Sequence, residues 1–293
     1  MRLRQNPLWF RVGNTVLMLG IVIATLYPFL YILALSLSEK AAVTGGKVTF
    51  YPIGFNMQAY EKLMNVPDFW IGYQNTLLYT STFTLLALVM TTLAAYPLAK
   101  RGLKGKNFFM GFFVFTMFFG GGLVPGYIVT KSLLGLDNLW VIIIPGAISV
   151  YNMIIMRTFF MGIPVALEEA AEIDGLNPLQ ILLRIVLPLS KPVMATMALF
   201  YALGMWNEWF SHLLFLNKNE LYPVMMFLRN VVNGAELSAR SGDANLIRDA
   251  AMNAAVPTLR SATIIVVTIP VLVLYPFIQK YFTQGVMIGS VKE

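Results

Sequence analysis

The sequence predicts an all-α integral membrane protein: six transmembrane helices, with a cytoplasmic helix–turn–helix between the fourth and the fifth. Three observations carry this. Charged residues make up 12% of the 293 and apolar residues 58%, whereas a soluble chain carries about 25% charge. So little polar surface cannot cover a water-facing domain. The charges are also segregated, leaving uncharged stretches near the ~20 residues that a helix needs to cross the hydrocarbon. Finally, the ten-residue alternating segments of a transmembrane barrel do not occur. One membrane domain over 1–293 is expected, although this length also allows two soluble ones.

Each span follows from the placement of charge. No charged residue occurs in Asn14–Ser38, Asn75–Ala99, Asn107–Thr130, Asn138–Met156 or Ser261–Gln279, and a sixth apolar stretch, Pro192–Asn217, is interrupted only by Glu208 and His212. The expected spans are about 14–38, 75–99, 107–130, 138–157, 192–216 and 261–280. Pro28, Pro97, Pro125, Pro145 and Pro270 lie in or beside them, where neighbouring helices satisfy freed carbonyls. The apolar run after Arg11 is too long for a signal-peptide core and no small-residue cleavage site follows, so the first span is expected to stay in the membrane.

Orientation follows from the basic residues. With the N-terminus inside, cytoplasmic segments hold Arg2, Arg4, Arg11, Lys100, Arg101, Lys104, Lys106, Arg157, Arg184, Lys191, Lys280 and Lys292, twelve of the 21 basic residues, and five of the 14 acids. The inside therefore nets +7 and the outside zero, and the short basic run Lys100–Lys106 is the strongest single signal. Both termini are expected in the cytoplasm of a bacterial cell, with lipid around the spans. The basic excess is a topology signal, and no nucleic-acid partner is expected. Outside the spans lie outer segments at about 39–74, 131–137 and 217–259 and an inner one at 160–190. In 217–259, turn residues separate two candidate short helices, Leu221–Val232 and Ala244–Ala255.

Several chemistries are excluded. With no cysteine and one histidine, thiol catalysis, disulfides and Cys- or His-built metal sites are removed. The spans hold no aspartate pair and no H-E-x-x-H, so an intramembrane enzyme lacks its residues, and His212 reads as an interfacial or packing residue. There is no G-x-x-x-x-G-K loop, and Gly120-Gly121-Gly122 lies within an apolar span, so this chain is not expected to hold a nucleotide. An ion-coupled secondary transporter is the alternative, but coupling needs ionisable groups at membrane depth and only Glu208 qualifies. An inverted repeat is also missing.

The inner loop carries the most information. Gly162–Gly175 reads as a short helix with Pro164 in its first turn and Gly175 left-handed after its end. Asn177-Pro178 then supplies a cap and first residue for a second helix, running to Leu187-Pro188. Small Ala170 and Ala171 beside Glu168, Glu169 and Glu172 suit close docking of a partner; an acidic solvated linker is the plain alternative. At the outer end of the fifth span, Trp206, Asn207, Glu208 and Trp209 combine rings that stack on sugars with groups that bond hydroxyls. With Tyr201 on the same span they are the candidate pathway residues, and an aromatic interface belt is the competing reading.

Here the chain resembles a known family. Glu169-Ala170-Ala171, three residues, Gly175, nine residues and then Ile185-x-Leu187-Pro188 match the EAA loop of ABC importer permeases. The motifs Phe50-Tyr51-Pro52, Phe55, Tyr60, Asn75-Thr76, Ala95-Tyr96-Pro97-Leu98-Ala99-Lys100, Trp206-Asn207-Glu208 and the ending from Tyr275-Pro276-Phe277 resemble the carbohydrate-uptake permeases. The likeness is to the smaller, six-span partner of the maltose-system pair, within the branch serving polysaccharide-derived, alginate-type oligosaccharides. It implies the type I importer permease fold and an ATPase-coupling loop built on Glu168, Glu169, Ala170, Ala171, Asp174, Gly175, Ile185, Leu187 and Pro188. It also implies a second permease chain, two copies of an ABC ATPase that bind ATP and Mg, and an extracytoplasmic solute-binding protein. The 217–259 segment is too long for a mere connection, most of which run about 4–6 residues, and is expected to touch that protein. This chain would hold no cofactor and catalyse nothing itself. The family's usual entry to the last outer loop is reduced here to Leu221-Tyr222-Pro223.

Overall fold

A computed structural model describes residues 7–241 and 257–290, with side chains placed for 7–233 and 257–274. Among the described residues all regular structure is helical. In chain order the helices are α1 (Leu8–Ser36), α2 (Lys40–Thr44), α3 (Gln58–Met64), α4 (Pro67–Ala99), α5 (Lys106–Phe118), α6 (Leu123–Leu134) and α7 (Leu139–Ile143). They continue with α8 (Val150–Met161), α9 (Val165–Ile173), α10 (Pro178–Leu189), α11 (Lys191–Asn207), α12 (Phe210–Phe215), α13 (Val224–Ser241) and α14 (Pro257–Ser290). Contacts divide the chain into one unit drawing on Met1–Phe69 and Phe227–Ile269 and another on Trp70–Met226 and Pro270–Glu293.

In the first unit α1 is apolar on every side and its most hydrophobic stretch is not buried within the chain, as suits a helix surrounded by lipid or other helices. Its C-terminal end is closed by the segment that follows. The Ser38 hydroxyl donates to the Ala34 carbonyl (2.6 Å) and accepts from the Ile53 N–H (3.0 Å), and the Ser36 and Tyr60 hydroxyls are 2.7 Å apart. Ala34, Ala42, Val43 and Val48 form a small core beneath. The stretch expected as an outer loop is therefore a folded cap carrying α2 and α3.

The second unit holds the main core. Tyr79, Phe83 and Ala87, four residues apart on one face of α4, pack with Val141–Ile143 of α7, Met153 and Met156 of α8, Ile181 and Val186 of α10, and Met197 and Tyr201 of α11. The N-terminal part of α4 is stitched to the segment before α13. Asn75 Nδ2 donates to the carbonyls of Glu220 (2.7 Å) and Tyr222 (3.1 Å), the Tyr79 hydroxyl donates to Leu221 O (2.9 Å), and Thr76 Oγ1 accepts from Val224 N (2.8 Å). Asn75-Thr76 is thus the anchor of the shortened Leu221-Tyr222-Pro223 entry. Beside it, Asp137 takes a left-handed φ of 56° and accepts N–H bonds from Asn217 and Lys218.

Among the described residues three helices, α1, α4 and the Pro257–Leu274 part of α14, are long and apolar enough to cross a membrane unbroken. The other three expected spans are not continuous helices. The 107–130 stretch bends by 114° between α5 and α6, because Gly120-Gly121-Gly122 costs helix stability and Gly122 takes φ +85° ahead of Pro125. The 138–157 stretch breaks between α7 and α8 at Pro145-Gly146, which removes a donor and a side chain together. The 192–216 stretch breaks at Glu208, whose backbone is extended. Asn207 Nδ2 donates back to Leu203 O (2.8 Å), and Glu208 Oε1 accepts from Ser211 N (2.8 Å), so polar side chains end α11 and start α12. Of the two short helices expected in 217–259, the first begins at Val224, after Pro223, and runs on to Ser241. The second, 244–255, lies outside the described residues.

Candidate functional site

The elbow is built by local rules. α9 leaves α8 at 74° and α10 meets α11 at 86°. Pro164 stands one position earlier than expected: it is the residue before the first helical turn of α9, with ψ 124°. At the other end Leu176 N donates to Ala171 O (3.0 Å) and Gly175 N to Glu172 O (3.1 Å), the Schellman closure, with Gly175 at φ +80°. Asn177 then caps α10 in a reciprocal capping box with Gln180. α10 widens to π-type turns over Leu182–Val186, which spreads the carbonyls before Pro188, a residue that cannot donate to the preceding turn.

The expected coupling residues do not share one face. Glu169, Ala170, Glu172, Asp174 and Gly175 are exposed. Ala171 is 3% exposed and packs in the main core, with Ile185 and Leu187 against it, so the alanine pair of the motif is split between outside and inside. Glu168 also turns inward and pairs with Lys100. Pro188 is exposed on α10. The outward face includes an apolar residue that motif reading missed: Ile173 is 87% exposed. An uncovered isoleucine between two acids on the outward face is the signal that was available.

Four contacts gather at the C-terminal end of α4. Lys100 pairs with Glu168, and its Nζ stands 4.8 Å over the Tyr96 ring. Lys106 Nζ donates to Lys100 O (3.2 Å), and Arg157 Nε to Leu98 O (2.9 Å). Arg157 thus caps the carbonyl end of α4. Burial alone would lower the Lys100 ammonium. The hydrogen bonds to Glu168 and then Tyr96 outweigh it and hold the group above its ordinary 10.5.

Where α7–α8 and α11–α12 break, a cavity of about 330 Å³ opens, at the lower end of ligand-sized pockets. Tyr201 and Glu208 of the expected pathway set line it, joined by Ser149, Asn152, Ser211 and the rings of Phe83, Phe200 and Phe215. The Tyr201 hydroxyl is 2.5 Å from Thr91 Oγ1 and accepts from Ser149 N (3.2 Å). Trp206, Asn207 and Trp209 do not line it: Trp206 is buried edge-on to Tyr73 (5.8 Å), Asn207 is spent on Leu203, and Trp209 lies edge-on to Phe210. Ser149 and Asn152 were missed, although Pro145-Gly146 was the signal, since irregular backbone at membrane depth is tolerated where it lines a cavity. His212 is fully buried beside the Tyr79 ring (5.1 Å), a packing residue.

Broken apolar helices around a mostly apolar cavity carrying a few polar groups, with an acidic elbow beside them, are the architecture of a membrane permease. Over residues 57–288 the sequence matches the family described as binding-protein-dependent transport system inner membrane component, and the chain belongs to that family. Protein LplC of Bacillus subtilis (strain 168) is 41% identical over 97% of this chain and 95% of its own length. The polygalacturonan/rhamnogalacturonan transport system permease protein YtcP of the same organism is 39% identical, over 90% and 92%. A chain in the crystal structure of a bacterial ABC transporter involved in the import of the acidic polysaccharide alginate superposes with a TM-score of 0.85 at 32% identity, over 96% of this chain and 99% of that one. The chain is the permease component of an ABC importer, with the type I permease fold, and nothing in these relatives favours an ion-coupled carrier.

Proposed function

We propose that this permease forms one half of the inner-membrane pathway for an oligosaccharide cut from an acidic polysaccharide. The observation that carries the coupling part is the elbow: an outward acidic face, an angle fixed by Gly175 and the Asn177 capping box, and an inward face packed into the core. In this reading two copies of a partner ATPase bind ATP and Mg, and each permease of a pair sets its elbow into one of them. Glu169 and Glu172 meet cations there, with Ala170 and Ile173 between. The elbow and the Lys100–Lys106 run then face the cytoplasm, with both termini on that side, and a solute-binding protein delivers cargo at the 217–259 side. A second permease is supported by α5 and α6, which bury no residue, and by the exposed break Gly120–Gly122 between them. Backbone at that depth needs protein or a water-filled pathway beside it. The sugar class is supported by the polygalacturonan/rhamnogalacturonan and alginate systems of the relatives, and the cavity at Tyr201 and Glu208, with Asn152, is the part of the pathway proposed for this chain. The test is co-expression with the neighbouring transport genes, followed by affinity purification and uptake of uronate oligosaccharides into vesicles loaded with ATP. ATPase retention with ATP-driven uptake is expected; a purified chain that retains no ATPase would overturn the reading.

A further inference from the structure

We propose that Lys100 and Glu168 are the joint that makes the second span follow the elbow, so that Lys100 is a positioning residue of the coupling machinery. The inference rests on the reading that α9 docks on an ATPase and names what carries its movement onward. Lys100 follows the last residue of α4, and Glu168 lies in the first turn of α9. Their side chains are only 28% and 17% exposed, so the pair is shielded from the water and salt that make exposed pairs nearly worthless. Removing one partner leaves a poorly solvated charge behind. Lys106 and Arg157 hold the last carbonyls of α4 from α5 and α8. The inner end of α4 is therefore fixed to α9 by a charge pair and to its neighbours by two cations.

The other end of the same helix holds the outer segment. From Asn75, Thr76 and Tyr79 to Ala99, the residue before Lys100, the helix is unbroken, a rod of about 35 Å at 1.5 Å per residue. Its outer turns bind the backbone of Glu220–Val224 through four hydrogen bonds. A shift of α9 transmitted at Lys100 thus reaches the segment that opens the 217–259 region without passing through a loop. Two adjacent glutamates then act differently: Glu169 faces outward, whereas Glu168 faces the joint. Its role is to move α4, not to touch the ATPase.

The test uses the whole complex in vesicles, with Lys100→Met, Lys100→Glu, Glu168→Lys and the charge-swapped Lys100→Glu/Glu168→Lys chain. Three quantities are read: ATPase retained on purification, ATP hydrolysed per sugar imported, and stimulation of hydrolysis by the loaded binding protein. Lys100→Met should retain the ATPase while ATP spent per sugar rises about tenfold, within the usual range of coupling between sites. The swapped chain should recover most of that loss, which a residue acting through bulk fold alone would not do. Normal coupling in Lys100→Met would overturn the joint. So would a Glu168→Lys chain that loses the ATPase and stays without it in the swap, because Glu168 would then contact the ATPase directly. If the unmodified chain retained no ATPase, the docking reading itself would fail, and that outcome is separate from the other two.

Discussion

Glu168 and Glu169 are neighbours in sequence and 100° apart around α9, and that step decides what each can do. Glu168 shares its inward face with Ala171, three residues on, and Glu169 shares the outward face with Glu172 and Ile173. Glu169→Lys should therefore strip the ATPase from the purified complex while the chain still inserts. Gly175 offers a cleaner test, because a Cβ placed there meets nothing within 4 Å. Only its backbone, at φ +80°, resists substitution, by about 1–2 kcal/mol for a residue with a Cβ. Uptake should fall from Gly175→Asn to Gly175→Ala to Gly175→Val, with Asn mildest since its side chain tolerates the left-handed region. Equal uptake by the Asn and Val variants would refute that cause. Beside the start of α7, the backbone N–H of Asn217, ahead of the cost of desolvation, holds the Asp137 carboxyl below its ordinary 3.8. A depressed value means that the contact stabilises the fold above 3.8 and is lost as pH falls through the lowered one. The melting temperature should drop over that acid window, and Asp137→Asn should lose that part of the slope.

At the scale of elements, the helices were legible from charge segregation and the elbow from its spacing, because both are local. What sequence missed needed contacts across the fold. Lys100 and Glu168 are 68 positions apart, and Asn75 reaches carbonyls about twice as far along the chain. The broken spans were half legible: Gly120–Gly122 and Pro145-Gly146 were visible, but a glycine or proline in an apolar stretch marks either a tolerated kink or a true break, and packing decides which. The pathway set is brought together only in part, with Tyr201 and Glu208 on the cavity and the other three away from it, for a related reason. Trp206 and Trp209 were grouped with Glu208 by sequence adjacency, yet the break at Glu208 turns each ring into its own packing contact. The stitching of α4 predicts a sharp position at Gly72, where a Cβ would lie 3.2 Å from the backbone of Val224. Gly72→Ala should lower stability by about 1–3 kcal/mol through overpacking and weaken stimulation by the binding protein more than it weakens ATPase retention. Thermal unfolding and stimulated hydrolysis, measured on the same preparation, check both parts.

For the whole molecule, the proposed role is transport driven by a partner ATPase rather than by an ion gradient, with no chemistry performed by this chain. In the proposed mechanism it converts a partner's ATP-driven movement, received at α9, into a rearrangement of broken helices around the cavity at Tyr201 and Glu208. Glu208→Gln and Asn152→Leu should then raise the substrate concentration needed for half-maximal uptake without removing the ATPase, since both line the cavity and neither lies on the elbow. The most direct test is uptake of a labelled uronate oligosaccharide by vesicles holding the assembled complex and binding protein. The measurement compares internal ATP without any ion gradient against a proton or sodium gradient without ATP. Uptake that requires ATP, persists in the presence of ionophores and disappears in Glu169→Lys is the predicted result. Gradient-driven uptake that needs no ATP would contradict the account.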